Sequence, residues 1–141
     1  MELNKKQKEA FDNVINGSNI FITGSGGTGK TKLLLYIIYY LRTEYKYYQE
    51  EIAITSTTGS SALLIGGTTI HSFAGIGLGT DNITDLIKKI KNNFFSCKRW
   101  KNTKYLIIDE ISMLSPEIFD KLNLIGQAIR ENKKSFGGIK L

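Results

Sequence analysis

One cysteine, one proline and one histidine in 141 residues leave several chemistries without raw material. A single thiol, Cys97, cannot close an internal disulfide, which fits a reducing, intracellular setting. Its neighbours supply no obvious base beyond Lys98 and Arg99, so Cys97 reads as incidental. His71 is alone, so it cannot build a histidine metal site, and nothing pairs it for nucleophilic catalysis. No apolar run is long enough to span a bilayer, and no charged-then-apolar segment opens the chain, so no membrane partner is expected. No repeat or low-complexity linker divides it.

What is present is enough apolar material for one core: 41% of residues are hydrophobic. The net charge of +6 and the pI near 9.4 favour polyanionic partners. Lysines cluster at 5–8, 88–91, 98–104 and 133–134, and each cluster reads equally well as a solvated helix face.

Periodicity predicts alternating helices and strands. A helix spans 4–16, with Asn4 as N-cap, Gly17 past its end, and Ala10, Phe11, Val14 and Ile15 as its apolar stripe. A strand over 19–23 (NIFIT) leads through a glycine-rich turn into a helix over 31–45. A second strand covers 51–56, a short helix 59–65, and a glycine-punctuated loop with one helical turn 69–79. A helix over 82–93 carries Ile83, Leu86, Ile87 and Ile90 inward. Residues 104–109 (KYLIID) form a third strand, apolar enough to be covered on both faces. The last helix starts after Ser115, with Pro116 at N1 and Ile118, Leu122, Ile125 and Ile129 inward. Residues 135–141 read as the opening of another buried strand, so the chain is expected to be a truncated piece. This order implies an α/β fold with a parallel sheet and right-handed crossovers.

The turn GSGGTGKT carries the chemistry. Gly24, Ser25, Gly26, Gly27, Thr28, Gly29, Lys30 and Thr31 fit GxxxxGK[ST], a loop whose backbone N–H groups and following helix cradle a triphosphate. Lys30 reaches the β- and γ-phosphates and the Thr31 hydroxyl ligates Mg²⁺, so ATP and Mg²⁺ are the expected ligands. The same residues satisfy GxGxxG. A dinucleotide site, however, wants an acid at the end of the second strand, where Thr55 and Ser56 stand. Hydrolysis also needs a metal anchor and a base. Asp109 and Glu110, at the end of the third strand, supply them, Asp109 for the metal and Glu110 for the water.

Other residues keep two readings. Gln7 stands at capping-box spacing from Asn4, and its amide equally suits an adenine edge. Residues 55–62 (TSTTGSSA) read as a helix cap or as a phosphate-backbone contact. His71, Ser72 and Phe73 could meet a sugar-phosphate and a base, although bare sequence favours Phe73 as core.

Together these segments resemble the petite-integration-frequency (PIF-type) DNA helicases of superfamily one, relatives of RecD, from Leu3 to Leu141. LNKKQKEAF is similar to the family's adenine-reading segment. The diagnostic stretches are TSTTGSSALLIGGTTIHSFAGIGLG and LIIDEISMLSPEIFDKLNLIGQAIR, and Arg99-Trp100 is also similar. Ser61 departs from the family's usual alanine, and residues 80–95 do not match where relatives carry a wedge-like insertion.

The resemblance implies the N-terminal RecA-like, P-loop NTPase domain of a 5′-to-3′ DNA helicase, a three-layer sandwich. It implies single-stranded DNA and duplex junctions as partners, with Thr57, Thr58, Gly59, His71 and Ser72 at the DNA-contacting positions. The family's sensor segment, second RecA-like domain and arginine finger are expected beyond Leu141, so this chain alone is expected not to translocate. A free-standing nucleotide- or single-strand-binding module stays open. A small-molecule kinase lacks a lid-like arginine-rich segment here.

Overall fold

The computed structural model describes residues 3–23, 29–44 and 49–141. In chain order its elements are α1 (Lys5–Ile15), α2 (Lys30–Thr43), β1 (Ile52–Ser56), α3 (Gly59–Leu64), β2 (Thr68–Thr69), α4 (Ile70–Ala74), α5 (Ile83–Lys91), α6 (Phe94–Asn102), β3 (Tyr105–Asp109) and α7 (Pro116–Ile129). The strands are parallel in the order β2-β1-β3, with Ser56 opposite both Thr69 and Asp109. All three therefore finish on one edge of the sheet, the edge where ligands collect in such folds.

Period-two alternation sorts the strand side chains into two cores. Ile52 and Ile54 of β1 and Tyr105 and Ile107 of β3 pack with Val14, Leu33, Ile37 and Leu41 of α1 and α2. Ala53, Leu106 and Ile108 pack on the other face, with Leu86, Trp100, Leu122 and Ile125 from α5, α6 and α7. Helices on both faces of a parallel sheet make the three layers of the expected α/β sandwich. Among the described residues, no helix is long and apolar enough to cross a membrane.

Local signals set the helix ends where the sequence predicts them. Gln7 N–H donates to Asn4 Oδ1 at 2.9 Å and Asn4 N–H donates to Gln7 Oε1 at 3.0 Å, a complete capping box on α1. Ser115 caps α7 with Pro116 in its first turn.

The expectation over 19–23 needs correction, those over 69–79 and 135–141 hold in part, and one helix was not foreseen. Residues 19–23 are not a strand. Ile20 N–H donates to Leu141 O at 3.0 Å and Leu141 N–H to Asn19 Oδ1 at 2.9 Å, and no ladder is assigned there. The alternation persists, with Ile20 and Ile22 packed inward and Phe21 exposed. Residues 135–141 form a 3₁₀ turn, Ser135–Gly138, followed by one parallel bridge from Lys140 to Tyr105. Within the loop expected over 69–79, the helical turn is α4, which starts where Thr69 Oγ1 caps it by accepting Ser72 N–H at 3.1 Å. It stops at Gly75, at φ 75°, where a Cβ would run into Ser96. Finally, α6 has no counterpart in the sequence reading.

Arg130, the last residue of α7's cap, ties that layer together. Its Nε donates to Gly137 O at 2.8 Å, and its Nη1 lies 2.8–2.9 Å from the carbonyl oxygens of Trp100, Lys101 and Thr103. Burial lowers the guanidinium pKa from its ordinary value, yet it remains a charged donor. Charge-assisted hydrogen bonds of this kind contribute about 1.5–3 kcal/mol each when lost to an unpaired partner. Arg130→Met is therefore expected to lower stability by about 2–3 kcal/mol in urea unfolding, since partly exposed carbonyls recover water. A change under about 0.5 kcal/mol would show the clamp to be incidental.

Candidate functional site

The site is assembled where the strands end. Helix α2 begins on Gly29, whose φ of 87° lies in the left-handed region, and no side chain caps it. Its first turn carries no acid and does carry Lys30 and Thr31, both exposed, so the helix dipole and Lys30 add up to an anion-favouring end. Gly24, Ser25, Gly26, Gly27 and Thr28, the rest of the glycine-rich turn, lie outside the described residues.

Gln7 approaches the same turn from α1. Beyond its place in the capping box, its Nε2 donates to Gly29 O at 3.3 Å. The amide thus links the start of α1 to the start of α2, with one N–H and one oxygen lone pair left for a further partner.

Asp109 and Glu110 close β3. Asp109 is half-buried, and its Oδ1 accepts Glu110 N–H at 3.0 Å. Glu110 has φ 57° and ψ 43°, a left-handed conformation unusual for a residue with a side chain. The cost of that backbone is about 1–2 kcal/mol, and the sharp turn into the 3₁₀ segment Ile111–Met113 leaves its carboxylate exposed. Thr23, Lys30, Asp109 and Glu110 all line one cavity of about 610 Å³, which continues over apolar residues such as Ile22, Leu34 and Ile107. That volume sits within the usual range for a ligand of nucleotide size, about 300–1,000 Å³. A lysine with two carboxylates on one cavity can hold a polyphosphate and activate water. The Thr31 hydroxyl and Asp109 carboxylate supply hard oxygen ligands of the kind Mg²⁺ takes.

The neighbouring strand end presents a polar row. Thr57 Oγ1 donates to Glu110 O at 3.3 Å, and Ser56 Oγ donates to Asp109 O at 3.3 Å. Thr58 is exposed and caps α3, accepting Ser61 N–H at 3.3 Å, and a Cβ at Gly59 would meet nothing within 4 Å. His71 is half-buried and Ser72 exposed on α4, next to this row through the pairing of Ser56 with Thr69. Phe73 points inward, 5% exposed and 5.3 Å from the Trp100 ring, which removes it as a base contact.

The sequence reading missed what holds α4. Arg99 Nε donates to Phe73 O at 3.0 Å, Arg99 Nη2 to Ser72 O at 3.1 Å, and Trp100 Nε1 to Ala74 O at 3.1 Å. These donors satisfy carbonyls that a short helix leaves open. The signal available was Asn93 as an N-cap, whose Oδ1 accepts Ser96 N–H at 3.1 Å.

A family model described as PIF1-like helicase matches residues 2–141. A protein named ATP-dependent DNA helicase PIF1 from Emericella nidulans is 48% identical over 136 residues, which is 96% of this chain and 18% of that protein. The crystal structure of Pif1 helicase from Candida albicans superposes with a TM-score of 0.93 at 46% identity, over 100% of this chain and 32% of that one. Pif1 helicase from Bacteroides in complex with ADP-AlF3 and ssDNA gives a TM-score of 0.79 at 29% identity, over 99% and 31% of the two chains. The chain thus spans about a fifth of the length of the Emericella protein.

Proposed function

The chain belongs to the PIF1-like helicase family, and on that premise we propose that it is the ATP-binding, N-terminal RecA-like motor domain of a 5′-to-3′ DNA helicase. The observation that carries this reading is the single cavity shared by Lys30, Asp109 and Glu110 at the carboxyl edge of a parallel sheet. The Bacteroides Pif1 complex, by its description, holds ADP-AlF3 and ssDNA together on a related fold.

In this reading Lys30 and the α2 N-terminus bind the β- and γ-phosphates, and Gln7 offers its remaining amide groups to adenine. Thr31 and Asp109 are the residues that would hold Mg²⁺, which would supply positive charge to the triphosphate. Glu110 takes the proton of the attacking water as its oxygen bonds to the γ-phosphorus and the bond to ADP breaks. Thr57, Thr58, Gly59, His71 and Ser72 contact the sugar-phosphate backbone of single-stranded DNA, and duplex junctions are met ahead of it. A second RecA-like domain in the same polypeptide completes the motor, and its arginine is worth about 10³–10⁵ in turnover.

Titrating the chain with a fluorescent ATP analogue, with and without Mg²⁺, and with labelled oligo(dT) tests this. Magnesium-dependent nucleotide binding, measurable DNA binding and very slow turnover are expected. Absence of nucleotide binding would overturn the reading, and rapid DNA-stimulated turnover would remove the need for a second domain.

A further inference from the structure

Three hydroxyls stand in a row between the exposed cap of α3 and the end of β3. Ser61 Oγ lies 2.5 Å from Thr58 Oγ1 and 2.6 Å from Ser56 Oγ, and Ser56 Oγ lies 3.3 Å from Asp109 O. Ser56 is fully buried and Ser61 is 9% exposed, so water does not stand in for a missing partner. Thr58, at the outer end, is exposed.

The row has fewer protons than places to put them. Each hydroxyl donates one proton and accepts others, whereas a carbonyl oxygen only accepts. Ser61 Oγ also lies 3.2 Å from Thr58 O, so three protons serve four contacts. The two short contacts each need a proton between their oxygens. Two arrangements run the whole length of the row. Inward, Thr58 donates to Ser61, Ser61 to Ser56, and Ser56 to Asp109 O. Outward, Ser56 donates to Ser61, Ser61 to Thr58, and the Thr58 proton leaves the row. Hydroxyl rotations alone interconvert them, and every oxygen keeps its own proton. Neighbouring bonds in such a chain polarise one another, so the hydroxyls turn together.

We propose that this row is a positioning device that carries the presence of a DNA phosphate at Thr58 to the main chain of Asp109. It rests on the readings of Thr58 as a DNA contact and Asp109 as the magnesium residue. In the free chain the row points inward, since all three protons then find protein acceptors. A phosphate oxygen at Thr58 takes the outer proton, the row reverses, and Asp109 O gives up its donor. Ser61 is the pivot, because it alone touches both other hydroxyls. Alanine there cuts the row and leaves the backbone N–H capped by Thr58 and the Ser56 bond to Asp109 O in place.

The test follows backbone carbonyl chemical shifts by NMR while the parent chain, Ser61→Ala and Ser56→Ala are titrated with oligo(dT). Fluorescence anisotropy reads the binding, and thermal unfolding checks the fold. In the parent, the Asp109 carbonyl is expected to move upfield as DNA binds. Ile107, whose oxygen accepts from Thr55 Oγ1 at 2.7 Å outside the row, is expected to stay put. In Ser61→Ala the Asp109 response is lost. That variant also binds oligo(dT) about 2- to 12-fold more tightly, because binding no longer costs one net hydrogen bond. In Ser56→Ala the Asp109 carbonyl starts upfield and does not respond to DNA. A parent that binds with no change at Asp109 overturns the device and leaves the DNA reading of Thr58 standing. So does a Ser61→Ala chain that keeps the change. Weaker binding by Ser61→Ala at an unchanged unfolding midpoint overturns it as well, since the row would then only brace Thr58. A parent that fails to bind oligo(dT) overturns the DNA reading and the device with it.

Discussion

Lys30→Ala is expected to weaken ATP binding by this chain by roughly 30- to 1,000-fold, or about 2–4 kcal/mol, because removing one partner of a charge-assisted pair leaves phosphate oxygens without their counter-charge. The side chain is exposed at the first residue of α2, and thermal unfolding without nucleotide separates any effect on the fold from the effect on binding. An alanine there is also a strong helix former, so α2 itself should not suffer. The measurement is a fluorescent-nucleotide titration in Mg²⁺, accompanied by thermal unfolding without nucleotide. Equal affinity in the two proteins would mean that the cavity does not hold the phosphates as proposed. A complete helicase carrying the same change should lose ATP turnover altogether.

Glu110→Gln should separate binding from chemistry. The amide keeps the size and the left-handed backbone of the acid, so the turn at φ 57° is conserved, with its strain. It cannot accept a proton from water, and loss of a general base costs about 10²–10⁴ in rate. Nucleotide affinity in this chain should change by less than about threefold, given that an exposed carboxylate at the cavity rim mainly repels phosphate. Single-turnover hydrolysis in a protein containing both motor domains is the measurement of rate. Wild-type speed in the glutamine variant would assign the base to another residue.

The parts legible in the sequence are those fixed by short-range chemistry. Asn4 with Gln7 and Ser115 with Pro116 announce helix starts through hydrogen bonds and torsion limits that span three residues. The run YLIID announces a strand that packs on both faces, since its side chains join the clusters on either side of the sheet. The GKT turn and the acid pair closing YLIID pointed to one sheet edge, and Lys30, Asp109 and Glu110 do line one cavity. Residues 19–23 carry the right alternation, but their strand character depends on partners far along the chain, and the contact with Leu141 is too slight to make a ladder. Helix α6 escaped because FFSCKRWKN shows no clean apolar stripe. Two aromatics face water, and the buried Trp100 is held by its bond to Ala74 O rather than by a periodic pattern. The bonds from Thr57 and Ser56 to the backbone of Glu110 and Asp109 were invisible for the same reason: they exist only once β1 and β3 are paired.

That pairing has a kinetic corollary. Ser56 meets Asp109 across a sequence separation of 53, and Leu141 meets Asn19 across 122. Contacts so remote must close large loops before any enthalpy returns, so α/β domains fold more slowly than helical bundles, with parallel strand pairing a slow step. Helices such as α7 can form in about a microsecond. During refolding from urea, far-ultraviolet ellipticity should therefore recover well before the capacity to bind nucleotide, which waits on the sheet.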